Sequence, residues 1–179
     1  LEGKCGNPSS LHDQGRESRT VIEASRSKVA QLLGTNPKEI IFTAGGTESI
    51  NLAIFGVAKA YQAKHSKPGR IIVSKIEHEA VLECAKALRQ WGWKIDYLEV
   101  NSEGFVNPQE LKKKIKPDTA LISVMYANNE VGTIQPITEI GKIITGTNKV
   151  RNQKGLDPIY FHTDACQAGG VLELEITKL

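Results

Sequence analysis

The feature that most constrains this chain is a regular alternation, from one end to the other, of segments with helical spacing and short apolar runs. Val21, Ile22, Ser25, Val29, Leu32 and Leu33 step by three and four, as one face of an amphipathic helix does. Gly34 can end that helix in a left-handed conformation. Glu39 to Ala44 reads as a short buried strand, with Ile40, Ile41 and Phe42 in one run. A second helix carries Ile50, Ala53, Ile54, Val57, Ala58 and Tyr61 on one face. Pro68-Gly69 is a turn, and Arg70 to Ser74 is the next strand.

Val81, Leu82, Ala85 and Leu88 mark a third helix. Lys94 to Val100 reads as a strand and Asn101 to Gly104 as a turn. Asn107-Pro108 with Glu110 forms a helix start: a cap, a proline at the first position, and a carboxylate able to reach back. Thr119 to Tyr126 reads as a central strand. Pro136 opens a helix carried by Ile137, Ile140, Ile143 and Ile144. Thr145 to Asp157 is polar and basic and reads as a surface loop or helix end, and Ile159 to Thr163 as the last strand. Such alternation predicts an α/β fold with crossover units, a mostly parallel central sheet and helices on both faces. Ligands in such sheets bind at the carboxyl ends of the strands.

Composition narrows the function classes. The 179 residues suffice for one domain with a real core, and 40% hydrophobic with 24% charged residues is ordinary for a soluble protein. A net charge of +3 is too small to argue for nucleic acid. The four lysines between Lys112 and Asp118 read as a solvated helix face. No apolar run approaches the roughly 18 residues of a membrane span. The first residues lack a signal pattern and a start methionine, so trimming at that end is expected. Cys5, Cys84 and Cys166 are odd in number and far apart, which suggests neither a disulfide framework nor a metal site. Reduced thiols in a cytoplasm-like compartment are expected, organelles included, with each cysteine a small structural residue.

The chemistry should therefore sit just after each strand. Thr43-Ala44-Gly45-Gly46-Thr47-Glu48 leads into a helix, where free N–H groups and a partial positive charge suit a phosphate. It is neither a Walker loop nor a dinucleotide fingerprint. A glycine turn between strand and helix is also common without a ligand. His78 in Ile76-Glu77-His78-Glu79 could stack on a flat ring or move protons, or simply cap a helix. Asn128-Asn129-Glu130 before Gly132 is more polar than a turn requires, although asparagines populate turns for local reasons. Asp164 and Gln167 could share one pocket, the carboxylate holding a pyridine nitrogen protonated, or Asp164 could cap the next helix. Together, a phosphate cradle, a stacking histidine, a polar amide and an aspartate amount to a pocket for pyridoxal 5'-phosphate (PLP).

Five segments are recognisable as a set: GNPSSLH at 6–12, IFTAGGTESINLAI at 41–54, EHEAV at 77–81, ANNEVGTIQPI at 127–137 and HTDACQAGG at 162–170. They resemble the NifS/IscS class of cysteine desulfurases, and also selenocysteine lyases, within the class V aminotransferase group. The resemblance implies the fold-type-I PLP architecture, a seven-stranded large domain working as a homodimer, with residues 1–179 an incomplete PLP-binding large domain. It implies that Gly46 and Thr47 hold the phosphate and that His78 stacks on the ring and assists proton transfer. Asp164 would pair with the ring nitrogen, and Gln167 would bond the phenolic oxygen. Asn129 would lie near that oxygen and the substrate carboxylate, with Asn7 at the edge of the site. The implied reaction removes sulfur from L-cysteine, giving L-alanine and an enzyme persulfide that a sulfur-acceptor protein receives, as in iron–sulfur cluster assembly.

Three departures accompany the resemblance. The family's Schiff-base lysine lies in a Ser-x-His-Lys-like segment, and no lysine here does; Lys178 follows Ile176 and Thr177. The persulfide cysteine and the substrate-binding arginine are expected beyond residue 179, so none of the three cysteines takes the sulfur. Cys166 occupies a slot that usually holds a small residue facing the core. The expectations are that this chain alone is inactive and that an open sheet edge is covered by a second copy or a partner chain. A selenocysteine lyase, another PLP enzyme of the same fold and a non-catalytic scaffold are the alternatives.

Overall fold

The computed structural model describes residues 6–179. They form two compact units, residues 6–42 with 173–179, and residues 43–172.

The first unit is built on helix α1 (Asp13–Leu33). His12 caps it through its side chain, and Gly34 ends it at φ 62°, as the glycine predicts. A 3₁₀ turn follows at Pro37–Glu39, closed by a capping box between Asn36 and Glu39. Arg26 donates to the Ile40 carbonyl, and its guanidinium lies 5.0 Å from the centre of the Phe42 ring. The predicted strand at Glu39 to Ala44 does not form. Residues 40–43 run without strand partners among the described residues, and Ile41 is 69% exposed. An apolar run supplies strand propensity, but a strand exists only where a neighbour takes its backbone groups. The periodic face of α1 is likewise not fully covered, since Val21 and Leu32 are exposed.

The second unit is a four-stranded, all-parallel sheet in the order β2-β1-β3-β4. Its strands are β1 (Arg70–Ser74), β2 (Lys94–Leu98), β3 (Thr119–Ser123) and β4 (Tyr160–His162). Helices α2 (Gly46–His65), α3 (Glu79–Gln90), α4 (Pro108–Lys114) and α5 (Ile137–Gln153) alternate with them. The two central strands are buried along nearly their whole length, while β2 and β4 are partly exposed. Burial on both faces explains why β1 and β3 read as continuous apolar runs. Ile50, Ile54 and Ala58 of α2 pack with Val81, Ala85 and Leu88 of α3 over Ile71, Val73 and Leu121. Strand alternation turns Ile72 and Ile122 to the opposite face.

Three local expectations are corrected. The second strand stops at Leu98, because the chain folds back so that Val100 pairs with Val106 across the Asn101–Gly104 turn. Glu110 does not reach back to the start of α4; its carboxylate pairs with Lys113 at 2.6 Å. The stretch after Thr145 is not a loop, since α5 runs to Gln153. Buried Arg151 holds that last turn, donating to the carbonyls of Asp157, Lys116, Pro117 and Thr119. A polar, basic tract thus conceals one arginine that works inward, with its stem in the core and its guanidinium on carbonyls.

No described helix is long and apolar enough to cross a membrane. The described residues hold no cluster of side chains able to bind a metal ion.

Candidate active site at the carboxyl ends of the strands

A cavity of about 220 Å³ opens where β1, β3 and β4 end, lined by Gly46, Thr47, Ile50, His78, Met125, Asn129, Asp164, Cys166 and Gln167. All six residues expected to hold the cofactor line this one cavity: Gly46, Thr47, His78, Asn129, Asp164 and Gln167. Asn7 does not; it lies in the first unit, where its side chain accepts the Ser9 amide at 2.9 Å.

Each lining residue is placed by local rules. Gly45 caps α2 without a side chain, and Gly46 and Thr47 form the helix's first turn. Helix geometry leaves their amides with no carbonyl one turn back. Glu48, the acidic residue of that turn, accepts the Ala44 amide at 2.5 Å. A Cβ added at Gly46 would stand 3.0 Å from the Cys166 sulfur, tighter than an ordinary contact. The glycine keeps that wall open.

His78 satisfies both of its sequence readings. It caps α3, its Nδ1 accepting the Ala80 amide at 3.1 Å, and it lines the cavity. A neutral ring that accepts through Nδ1 carries its proton on Nε2. The asparagine pair divides its labour. Asn128 builds the turn, donating to the Ile76 carbonyl and accepting from the amides of Glu130 and Val131. Asn129 is exposed and faces the cavity.

Asp164 is 8% exposed, and its Oδ1 accepts the Cys166 amide at 3.0 Å. Its own carbonyl takes the Tyr126 amide, which fixes it beside the end of β3. No helix follows it; residues 166–171 are a turn, so the helix-cap reading does not hold. The Cys166 expectation is also corrected. The side chain is exposed and faces the cavity instead of the core, because the chain turns immediately after Asp164. Hydrogen bonding to Asp164, then burial, then the aspartate's charge push its thiol up to about 11. Cys84 is buried in the α2–α3 core as a structural residue, and Cys5 lies outside the described residues.

One group escaped sequence reasoning. Glu77 is 6% exposed, and its Oε1 accepts from the Ser74 hydroxyl at 2.7 Å and the Met125 amide at 2.6 Å. Burial pushes this carboxyl up to about 7, against the two hydrogen bonds, and Asp164 adds to the rise. Glutamate beside a histidine in a loop gives no pattern from which burial could be read. Behind it, Ser123 Oγ and His162 Nδ1 are 2.9 Å apart, and burial holds the His162 pKa down.

Comparison with known proteins agrees with this geometry. The sequence matches the family Aminotransferase class-V over residues 1–179. It is 51% identical to Cysteine desulfurase IscS of Dictyoglomus turgidum over the whole chain, which covers 42% of that protein. A solved structure titled NifS-like protein superposes with a TM-score of 0.87 at 41% identity, over 97% of this chain and 44% of that one. Another, titled SspA in complex with cysteine, gives 0.85 at 35% identity, over 97% and 46%. The chain thus spans less than half the length of the relatives it matches. With the family matched across its full length and the parallel sheet shared with these structures, the chain belongs to the class V aminotransferases and has the fold-type-I architecture of the cysteine desulfurases.

Proposed function

We propose that this chain is the cofactor-binding portion of a PLP-dependent cysteine desulfurase. The observation that carries the reading is the convergence of six widely separated residues, from Gly46 to Gln167, on one cavity at the carboxyl end of the sheet. The donor set fits a phosphorylated pyridine ring. Unpaired amides at the start of α2 suit a dianion, and the bare Cα of Gly46 leaves room beside Cys166. The buried Asp164 carboxylate suits a protonated ring nitrogen, and Gln167 offers an amide for the phenolic oxygen.

When bound, PLP supplies an electron sink for charge developing at a substrate α-carbon. The chain's own residues prepare that sink. Asp164 holds the proton on the ring nitrogen from a site with little water. His78, fixed by its Nδ1 bond, presents an Nε2–H able to face the ring and move a proton. This reading assigns Asn129, on the cavity wall, to a substrate carboxylate, and Asn7 is a candidate for the rim. L-cysteine is the substrate of this reading and a sulfur-acceptor protein its partner, within a homodimer. This reading gives the sulfur to a cysteine outside these 179 residues and not to Cys166, whose thiol Asp164 pushes up to about 11 in the chain without cofactor.

The test follows from the missing Ser-x-His-Lys segment. The 179-residue chain should bind PLP without a covalent link, seen as saturable absorbance and fluorescence changes that dialysis reverses. Incubated with PLP and L-cysteine, it should form no alanine beyond the PLP-only control. A folded chain that does not bind PLP overturns the reading. Rapid turnover would mean that a lysine of this chain does the work assigned elsewhere.

A further inference from the structure

Two carboxyl groups are buried at the carboxyl end of the sheet, and the proposed function uses only Asp164. Glu77 has no role in it. Yet Glu77 joins three parts of the pocket. It directly precedes His78, it receives the amide of Met125, a lining residue just beyond β3, and it receives the hydroxyl of Ser74, the last residue of β1. All three of Ser74, Glu77 and Met125 are buried. Its other oxygen, Oε2, is buried with no hydrogen-bond partner among the described residues. A full negative charge with one oxygen unsolvated is unfavourable, so a protonated carboxyl is a natural resting form.

The groups facing this carboxyl are identifiable. They are the Ser74 hydroxyl from β1, the Ser123 hydroxyl and Met125 amide from β3 and the turn after it, and the Asp164 carboxylate after β4. Asp164 is the charged group that acts on it, raising the Glu77 pKa, while Lys75, Glu79, Lys86 and Glu130 line a second cavity that Glu77 also borders. Beyond Ser123 stands His162, which burial keeps toward its neutral form.

We propose that Glu77 is a positioning residue of the cofactor pocket, a second acid behind Asp164 that clamps the His78 turn to the end of β3 and gives up its proton to solvent when a protonated pyridine ring docks on Asp164. The inference rests on the cofactor reading above. Its physical basis is linkage. A ring N–H⁺ paired with Asp164 neutralises the charge that disfavours Glu77 ionisation and adds a nearby positive charge. The carboxylate of Glu77 must then strengthen ring binding by the same factor.

The experiment uses pyridoxamine 5'-phosphate, which cannot bond covalently to a lysine, and measures its affinity for the 179-residue chain between pH 5.5 and 8.5. The comparison is wild type against Glu77→Gln, which keeps an acceptor for Ser74 and Met125 but cannot ionise. Titration of the ligand phosphate occurs in both and cancels in the ratio. The ratio of affinities, wild type over variant, should rise roughly three- to tenfold as pH passes about 7, the scale of coupling between groups a few ångströms apart. With a ring analogue carrying carbon in place of the nitrogen, the ratio should stay flat. Carbon-13 NMR of the Glu77 carboxyl in wild type should show its pKa falling when pyridoxamine 5'-phosphate binds, a readout that survives a variant that fails to fold. A flat affinity ratio with the normal ligand, or an unmoved Glu77 pKa, overturns this inference and leaves the cofactor reading standing. A folded wild-type chain that binds no pyridoxamine 5'-phosphate at any pH overturns both.

Discussion

The two ends of the sheet both carry polar side chains and use them in opposite ways. At the amino end, Arg70, Lys94 and Arg151 all meet protein partners. Arg70 pairs with both Asp96 and Asp118, Lys94 reaches Asp118 at 2.9 Å, and Arg151 spreads its donors over the carbonyls of the β3 approach and Asp157. At the carboxyl end, Glu77 keeps a buried oxygen and α2 its first amides without partners among the described residues, and Asn129 and Gln167 face a cavity. The first arrangement ties strands together. The second leaves polar groups whose hydrogen-bonding capacity a ligand can meet. Parallel strands all point their carboxyl ends the same way, so crossover turns and helix starts collect there, and that is the end at which such sheets bind ligands.

Crossed substitutions break this contrast most directly. Arg151→Ala should destabilise the fold by about 3 kcal/mol in urea titrations, because four carbonyls, that of buried Thr119 among them, lose their donor together. The affinity of its folded fraction for pyridoxamine 5'-phosphate should stay within about twofold. Asp164→Ala should behave oppositely, weakening that affinity about 100-fold through loss of a charge-assisted bond while the urea midpoint holds or rises. If Arg151→Ala spares stability, or Asp164→Ala spares binding, the division between a structural end and a binding end is wrong.

The next effect sharpens the contrast through pH. The Glu77 pKa is raised from 4.5 to about 7 in the folded chain. The native state then holds a proton that the unfolded chain has released, so this group's stabilisation is complete below about 4.5 and declines as pH rises through about 7. The full decline is at most about 3 kcal/mol. His162, with its pKa lowered by burial, acts in the opposite direction and weakens the fold as pH falls. The difference between wild type and Glu77→Gln removes that shared contribution. Unfolding free energies at pH 5 and pH 8 should show Glu77→Gln gaining about 2 kcal/mol relative to wild type at the higher pH. Equal pH slopes for the two proteins would place Glu77 in contact with water.

The sequence made some of these features legible and hid others for physical reasons. The central strands were readable because burial on both faces leaves an unbroken apolar run, as in Ile71-Ile72-Val73. Helix starts were readable where one side chain does the capping, as Asn107 does for α4. The apolar run at Ile40 to Phe42 misled, because strand formation depends on a partner that local composition does not encode. Arg151 was invisible for the reverse reason: its neighbours Lys149, Asn152 and Lys154 are polar, and only the fold turns one of them inward. Among the cavity-lining residues, Asp164 and Gln167 were recoverable from their places after β4 and Gly46 from the glycine turn that opens α2, each together with the family resemblance. Asn129 was separable from Asn128 only by that resemblance, and the geometry gives the reason, since Asn128 is consumed by its own turn. Glu77 was not recoverable, because the amide and hydroxyl that hold it come from Met125 and Ser74, one of them 48 positions away.

The smallest expected effect compares two thiols. Cys84 sits in the core, and burial raises its pKa; Cys166 is exposed on the cavity wall, yet its pKa is raised to about 11, first by hydrogen bonding to Asp164. Exposure alone predicts fast alkylation of Cys166 and slow alkylation of Cys84. Thiolate chemistry predicts that both are slow, since at pH 8 a thiol with a pKa near 11 is ionised to only about one part in a thousand. Iodoacetamide labelling of the native chain, resolved by peptide mass spectrometry, should therefore find Cys166 modified at a small fraction of the rate of the same residue in denaturant. Asp164→Asn removes the carboxylate that accepts from the thiol and repels the thiolate, so Cys166 labelling should quicken roughly tenfold while Cys84 labelling stays unchanged. If Cys166 reacts in the native wild type as fast as in denaturant, the carboxylate of Asp164 is not turned toward it, and the polar wall of the cavity is arranged differently from the one described.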